Sequence, residues 1–149
     1  MNDLEEKKLI REATVADAKH LRDITAEQLG YEVSAELLAK QLEKLTADKE
    51  NHFIRVYGSA VPIGYIHAEL YESIYSEPMF NILGLAVAKG HENQGVGKAL
   101  LLELEREAKR RNLWGIRLNS SDKRRQAHEF YAHLGYHSDK SQKRFLKML

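Results

Sequence analysis

Asn81-Ile82-Leu83-Gly84-Leu85-Ala86-Val87-Ala88-Lys89-Gly90-His91-Glu92-Asn93-Gln94-Gly95-Val96-Gly97-Lys98, continued to Arg111, is the stretch on which the fold depends. Its apolar run, Ile82 to Val87, is too short for a free-standing helix and rich in β-branched and aliphatic residues, which predicts a buried strand. A polar turn follows from Lys89 to Gln94. From Gly95-Val96-Gly97-Lys98 onward, Val96, Leu100, Leu104 and Ala108 recur at helical spacing, with Leu101 beside them. Strand, glycine turn and helix in that order aim unpaired backbone N–H groups at one point, and such a concavity binds phosphates. The helix dipole contributes about 0.3–1 kcal/mol, whereas each charge-assisted hydrogen bond contributes about 1.5–3 kcal/mol. The backbone donors therefore dominate, and the glycines keep side chains out of the phosphate's path.

Two widespread phosphate loops fail here on a required residue. Gly90 and Gly95 have the spacing of a Walker A loop, but Val96 stands where its lysine must be. Gly95 and Gly97 begin a dinucleotide fingerprint, but Leu100 fills its third glycine position. Instead, Glu92-Asn93-Gln94-Gly95-Val96-Gly97, followed by Lys98-Ala99-Leu100-Leu101, resembles the acetyl-CoA loop of the GCN5-related N-acetyltransferase (GNAT) family. That loop reads [QR]-x-x-G-x-[GA] directly after a strand ending in Val. Glu92 departs from the usual Arg or Gln. The position contributes mainly through its backbone, so the loop is expected to work, with the carboxylate opposing pyrophosphate affinity.

The resemblance covers nearly the whole chain. Gln28-Leu29-Gly30-Tyr31, the run Arg124-x-x-Ala127-His128-x-Phe130-Tyr131-x-x-Leu134-Gly135-Tyr136, and the ending Ser141-Gln142-x-x-Phe145-x-Lys147-x-Leu149 are similar to segments of bacterial aminoglycoside-type and general N-acetyltransferases. It implies one acetyltransferase domain over residues 1–149, of α/β (α+β) class. Its mixed, mostly antiparallel sheet has about six to seven strands, flanked by about four helices and splayed between the fourth and fifth strands.

Composition agrees with a single domain. The chain has 149 residues, 43% of them apolar and 30% charged, and a formal net charge of +1. That balance gives no reason to expect nucleic-acid or membrane attraction. With no cysteine, disulfides, thiolate metal sites and a cysteine nucleophile are excluded. The start, Met1 to Lys8, lacks the apolar core of a secretory signal, and no run approaches the ~20 apolar residues of a membrane span. The cytoplasm is the expected location.

In chain order, Lys8 to Ala13 reads as a short strand, and Thr14 to Asp17 as a capping-box variant opening a helix that reaches about Leu29. Ser34 is the expected N-cap of a second helix carrying Leu38, Leu42 and Leu45. A hairpin follows, His52–Tyr57 with Ile63–Tyr71, then a loop around Ser76-Glu77-Pro78. After the long helix come a strand at Trp114–Asn119, a helix from about Arg124 to Leu134 ended by Gly135, and a final strand pair from Tyr136 and Lys143–Leu149.

Transfer of an acyl group from a thioester to an amine requires a neutral amine, a polarised carbonyl and a leaving thiolate. Deprotonating a lysine-like amine at pH 7 costs about 4.6 kcal/mol, so a base is useful. His67 and Glu69 share one strand face by alternation, and either suits that role; both equally suit a solvated sheet face. By resemblance, Tyr131 stands at the family's leaving-group tyrosine, although an amphipathic core tyrosine would look the same. Leu85, Ala86 and Val87 would pair by backbone with the pantetheine arm as an added strand. Glu92, Asn93 and the run Gln94, Gly95, Val96, Gly97, Lys98 and Ala99 would take the pyrophosphate of acetyl-CoA (coenzyme A). Arg124 would meet the 3′-phosphate or adenine end, or be a solvated helix-start arginine. Ser121 stands where relatives often carry Asn at a cofactor contact.

His20, His52, His91, His128, His133 and His137 form no metal-ligand spacing, and no metal is expected. The expected partner is a primary amine of a small molecule or peptide. Glu27, Glu32, Glu69, Glu72 and Glu77 flank the acceptor side in this fold, which favours a cationic one. Monomer and homodimer both stay open. The rival reading is a non-catalytic acyl-CoA-binding sensor or regulatory module.

Overall fold

Alternating and helical spacings both translate into elements in the computed structural model, which describes residues 9–149. Lys8 and the residues before it, including the expected start of the first strand, lie outside the described residues. The chain forms two compact units, Met1–Leu118 and Asn119–Leu149. In the first, β1 (Ile10–Glu12) leads to a 3₁₀ turn (Val15–Asp17), α1 (Ala18–Ile24) and a π turn (Thr25–Leu29). Then come α2 (Ala35–Ala47), β2 (His52–Tyr57), β3 (Gly64–Ser73), β4 (Ser76–Val87), α3 (Val96–Arg110) and β5 (Ile116–Leu118). The second unit contains α4 (Arg125–His133).

Local chemistry explains the helix starts. Asp17, 3% exposed, accepts from the Thr14 N–H at 2.8 Å, the reach-back half of a capping box, and is gripped by both Arg11 Nη atoms at 2.8 Å. Ser34 Oγ accepts from the Leu37 N–H at 3.1 Å, as the N-cap reading required.

The sheet runs β1-β2-β3-β4-β5, antiparallel except for the parallel β4–β5 pair. Leu21 and Ile24 of α1 and Leu42 of α2 join Ile54, Val56, Tyr65 and Ala86 in a core on one face. On the other, α3 packs over β2, β3 and β4, with Ile66, Phe80, Leu100, Leu101 and Leu104 fully buried. Each such side chain contributes about 1.5–3 kcal/mol. Gly64 permits the close approach of α3: a Cβ there would lie 2.9 Å from Val96 Cγ1 and 3.2 Å from the Ala86 carbonyl oxygen.

Three expectations need correction. Among the described residues the sheet has five strands rather than six to seven. No strand pair forms from Tyr136 and Lys143–Leu149; Phe145 and Leu149 are 90% and 114% exposed. Phe145-Leu146 and Met148-Leu149 stand side by side rather than alternating, and among the described residues no strand pairs with the segment. The expected loop at Ser76-Glu77-Pro78 is already strand, because the chain turns earlier, at Ile74 and Tyr75. Pro78 fits inside β4 because the β3–β4 register shifts between Tyr71 and Ser73, where a ladder donor is not needed.

Candidate functional site

The expected splay has a structural counterpart in the ladder of β4. On one side β4 pairs with β3 along nearly its whole length, but on the other β5 pairs only Phe80, Asn81 and Ile82. Beyond them, no strand among the described residues covers Leu83 to Val87 on that side. A register shift in the β3–β4 ladder falls there too: His67 faces Gly84 and Ala68 faces Ile82, which leaves Leu83 as the extra residue of a bulge. Leu85 and Val87 are half-buried on this stretch, while Ala86 is turned into the core.

Directly after this edge the loop enters α3. Asn93 and Gly95 have φ of 61° and 83°, and Gly95 is the N-cap without any side-chain cap. The first-turn N–H groups of Val96, Gly97 and Lys98 thus begin a helix that no N-cap side chain closes. A Cβ on Gly95 would meet nothing within 4 Å, so the space above the loop is open. Ala99 differs from the others: its N–H donates to the Gly95 carbonyl at 2.9 Å and is part of the helix. Such a donor set fits a phosphate group. The Glu92 carboxylate turns onto the loop itself, accepting from the Gly90 N–H at 2.8 Å, and Gln28 Nε2 reaches it at 3.4 Å. Its own backbone N–H, with that of Gly90, holds this carboxylate below the usual range.

The two candidate bases lie on the sheet face shared with α1 and α2, and both have partners. His67 Nε2 is 3.0 Å from His52 Nδ1. Burial, then the neighbouring His52 charge, pushes His67 down to about 4, so it is neutral at pH 7. Glu69 Oε2 accepts from Asn81 Nδ2 at 2.8 Å, Asn81 Oδ1 accepts from Arg117 Nη1 at 2.8 Å, and the Arg117 guanidinium lies 4.5 Å from the Tyr71 ring centroid. Nearby, the Tyr65 and Thr25 hydroxyls are 2.7 Å apart.

In the second unit, Tyr131 sits on α4 between Phe130 and Tyr136, with edge-on centroid distances of 5.1 and 5.7 Å. Burial pushes its hydroxyl up to about 12, against the opposing pull of the Arg124 charge. Arg124 is the exposed N-cap residue of α4. Ser121 Oγ accepts from the Lys123 N–H at 3.4 Å, and the Ser121 carbonyl lies 2.8 Å from His128 Nε2.

Sequence reasoning missed His52, Asn81 and Arg117. His52 has no metal-ligand spacing, and Asn81 precedes the apolar run Ile82 to Val87. A polar residue opening an apolar run was the available signal; which residues face it across the sheet depends on register, which no single strand encodes.

The sequence pattern described as the acetyltransferase (GNAT) family matches residues 18–136. Among solved structures the chain is similar to a transcriptional regulator from Bacillus halodurans C-125, at 23% identity over 94% of this chain and 97% of that one, with a TM-score of 0.77. It is also similar to the aminoglycoside N-acetyltransferase AAC(6')-Iy in complex with the bisubstrate analogue CoA-S-monomethyl-acetylneamine, at 16% identity, 94% and 97% coverage and a TM-score of 0.79. Glucosamine-6-phosphate N-acetyltransferase from Arabidopsis thaliana matches at 16% identity, 92% and 96% coverage and a TM-score of 0.78. At these identities the likeness is one of fold. No curated protein sequence matches the chain.

Proposed function

Because the chain belongs to the acetyltransferase (GNAT) family, we propose that it moves the acetyl group of acetyl-CoA to a primary amine of a small molecule or peptide, by direct attack in a ternary complex. The observation that carries this reading is the uncapped start of α3 at left-handed Gly95, next to a β4 edge that β5 leaves uncovered. Backbone donors from Gln94 to Lys98 take the pyrophosphate, and Leu85 to Val87 pair with the amide-rich arm. When bound, acetyl-CoA supplies the acyl thioester and the thiolate leaving group.

The chain's own residues handle protons and position. Glu69 and His67 serve the acceptor amine. Tyr131, by resemblance to the family's leaving-group tyrosine, holds the proton that the thiolate takes; a hydroxyl raised to about 12 stays protonated at neutral pH. Arg124 and Ser121 serve the nucleotide end. Residues 1–149 work as one domain in the cytoplasm. Among the described residues no helix is long and apolar enough to cross a membrane.

A second reading, a non-catalytic acyl-CoA-binding module, is favoured by one observation: both candidate bases already have side-chain partners, His67 with His52 and Glu69 with Asn81. Calorimetric titration with acetyl-CoA, followed by thiol release with kanamycin, glucosamine 6-phosphate, spermidine and a lysine peptide, separates the two. Binding with amine-dependent thiol release supports the enzyme. Binding with no release from any amine supports the module, and no binding removes both.

A further inference from the structure

Four strands contribute one residue each to a single row on one sheet face. In register, His52 of β2 faces Glu69 of β3, Glu69 faces Asn81 of β4, and Asn81 faces Arg117 of β5. All four side chains are half-buried. The hydrogen bonds along the row have a fixed direction. Guanidinium nitrogens only donate, so Arg117 Nη1 claims the one amide atom that accepts, Asn81 Oδ1, at 2.8 Å. Asn81 Nδ2 is thereby turned toward β3, where it donates to Glu69 Oε2 at 2.8 Å. Arg117 is itself held over the Tyr71 ring, so the far end of the row is anchored. Both bonds have an ionised partner, which makes them stronger than neutral ones.

The consequence falls on Glu69. Its Oε2 is pinned by a neutral amide, and the Arg117 charge stands one residue further along the row. A half-buried carboxylate in that position gains most from a cation placed against its other oxygen. His52, opposite it, is already engaged with His67, Nδ1 to Nε2 at 3.0 Å. The other charged or titratable groups in register on this face include Arg11 of β1, paired with Asp17, and Tyr65 and Tyr71 of β3.

We propose that Asn81 is a positioning residue that, together with Arg117, fixes the Glu69 carboxylate so that Oε1 receives the ammonium of a cationic primary amine, the acceptor substrate. This deepens the acetyltransferase reading and rests on it for the word acceptor. The ammonium site itself can be measured without turnover.

Methylammonium chloride serves as the minimal probe, titrated into ¹⁵N-labelled protein while the Asn81 side-chain amide resonance is followed, with sodium chloride at equal ionic strength as the reference. The expected result is a saturable shift that sodium chloride does not reproduce. Glu69→Gln abolishes it. Asn81→Leu and Arg117→Gln, the former followed through neighbouring backbone amides, weaken the methylammonium Kd at least about fivefold while acetyl-CoA affinity stays at the parent value. Combining the two adds nothing further, because Arg117 acts through Asn81. If Asn81→Leu does not fold, Arg117→Gln carries the comparison. A parent protein without a saturable response, or Arg117→Gln with the parent Kd, overturns the proposal. Failure of acetyl transfer with an intact ammonium response overturns the acetyltransferase reading instead.

Discussion

Across β2 and β3, Nδ1 of His52 lies 3.0 Å from Nε2 of His67, with the ring centroids 5.2 Å apart. One of the two nitrogens must donate and the other accept, so the pair is satisfied when both rings are neutral. Burial and the mutual repulsion of the rings depress His67 to about 4.

That depression fixes a pH dependence of stability. Above the unfolded value of about 6.5, folded and unfolded chains are both neutral at His67 and nothing is lost. As pH falls toward 4, the unfolded chain binds a proton that the folded one refuses. Stability should drop by up to about 3 kcal/mol over that window and then level off. Urea unfolding of the parent and His67→Gln between pH 7.5 and 4 checks this: the variant should lose much of the slope, and identical slopes would refute the assignment.

The loop glycine gives a second test. At φ of 83°, Gly95 holds a conformation that valine adopts only under strain, yet a Cβ there touches nothing in the fold. Gly95→Val should therefore stay folded and lose at least about tenfold in acetyl-CoA affinity, the equivalent of about one charge-assisted hydrogen bond. Calorimetry on the folded variant with parent affinity would remove the loop from cofactor binding.

Glu92 has a structural contact beside its charge. Read as sequence, a carboxylate here opposes the pyrophosphate. Folded, it accepts from the Gly90 N–H and meets Gln28, so it braces the entrance of the loop. Glu92→Ala should weaken acetyl-CoA binding a few-fold through a looser loop. Tighter binding in that variant would mean that repulsion outweighs bracing.

How much of this was legible follows from what kind of information each feature needs. The strand–glycine–helix unit from Ile82 to Ala108 was readable because its pattern is local: apolar spacing changes period at Gly95, and the helix obeys it. Ser34 was readable for the same reason, since a cap acts within one turn. The row from His52 to Arg117 was not, because it depends on the register of four strands and on a bulge at Leu83 that changes which residues of β4 share a face. The last strand pair failed for the complementary reason. The expectation for Lys143 to Leu149 rested on resemblance, and likeness in sequence cannot supply a ladder partner.

Tyr131 carries the prediction for the chemical step. Removing a positioned acid costs about a hundredfold or more in rate, and a thiolate is already a fair leaving group, so Tyr131→Phe should lower kcat by about a hundredfold. The ring still packs beside Phe130 and Tyr136, so Tm and acetyl-CoA affinity should change little. An unaltered acyl-transfer step in single-turnover experiments would exclude the hydroxyl from the mechanism.

The most direct test of acetyl transfer is mass spectrometry of the product. Parent protein is incubated with acetyl-CoA and each of kanamycin, glucosamine 6-phosphate, spermidine and a lysine peptide, and the amine is weighed alongside the thiol released. The account predicts that at least one amine gains a single acetyl group on nitrogen, in equal amount to the thiol, and that Gly95→Val forms this product more slowly at subsaturating acetyl-CoA. Saturating acetyl-CoA binding with no acetylated amine from any of the four would contradict it.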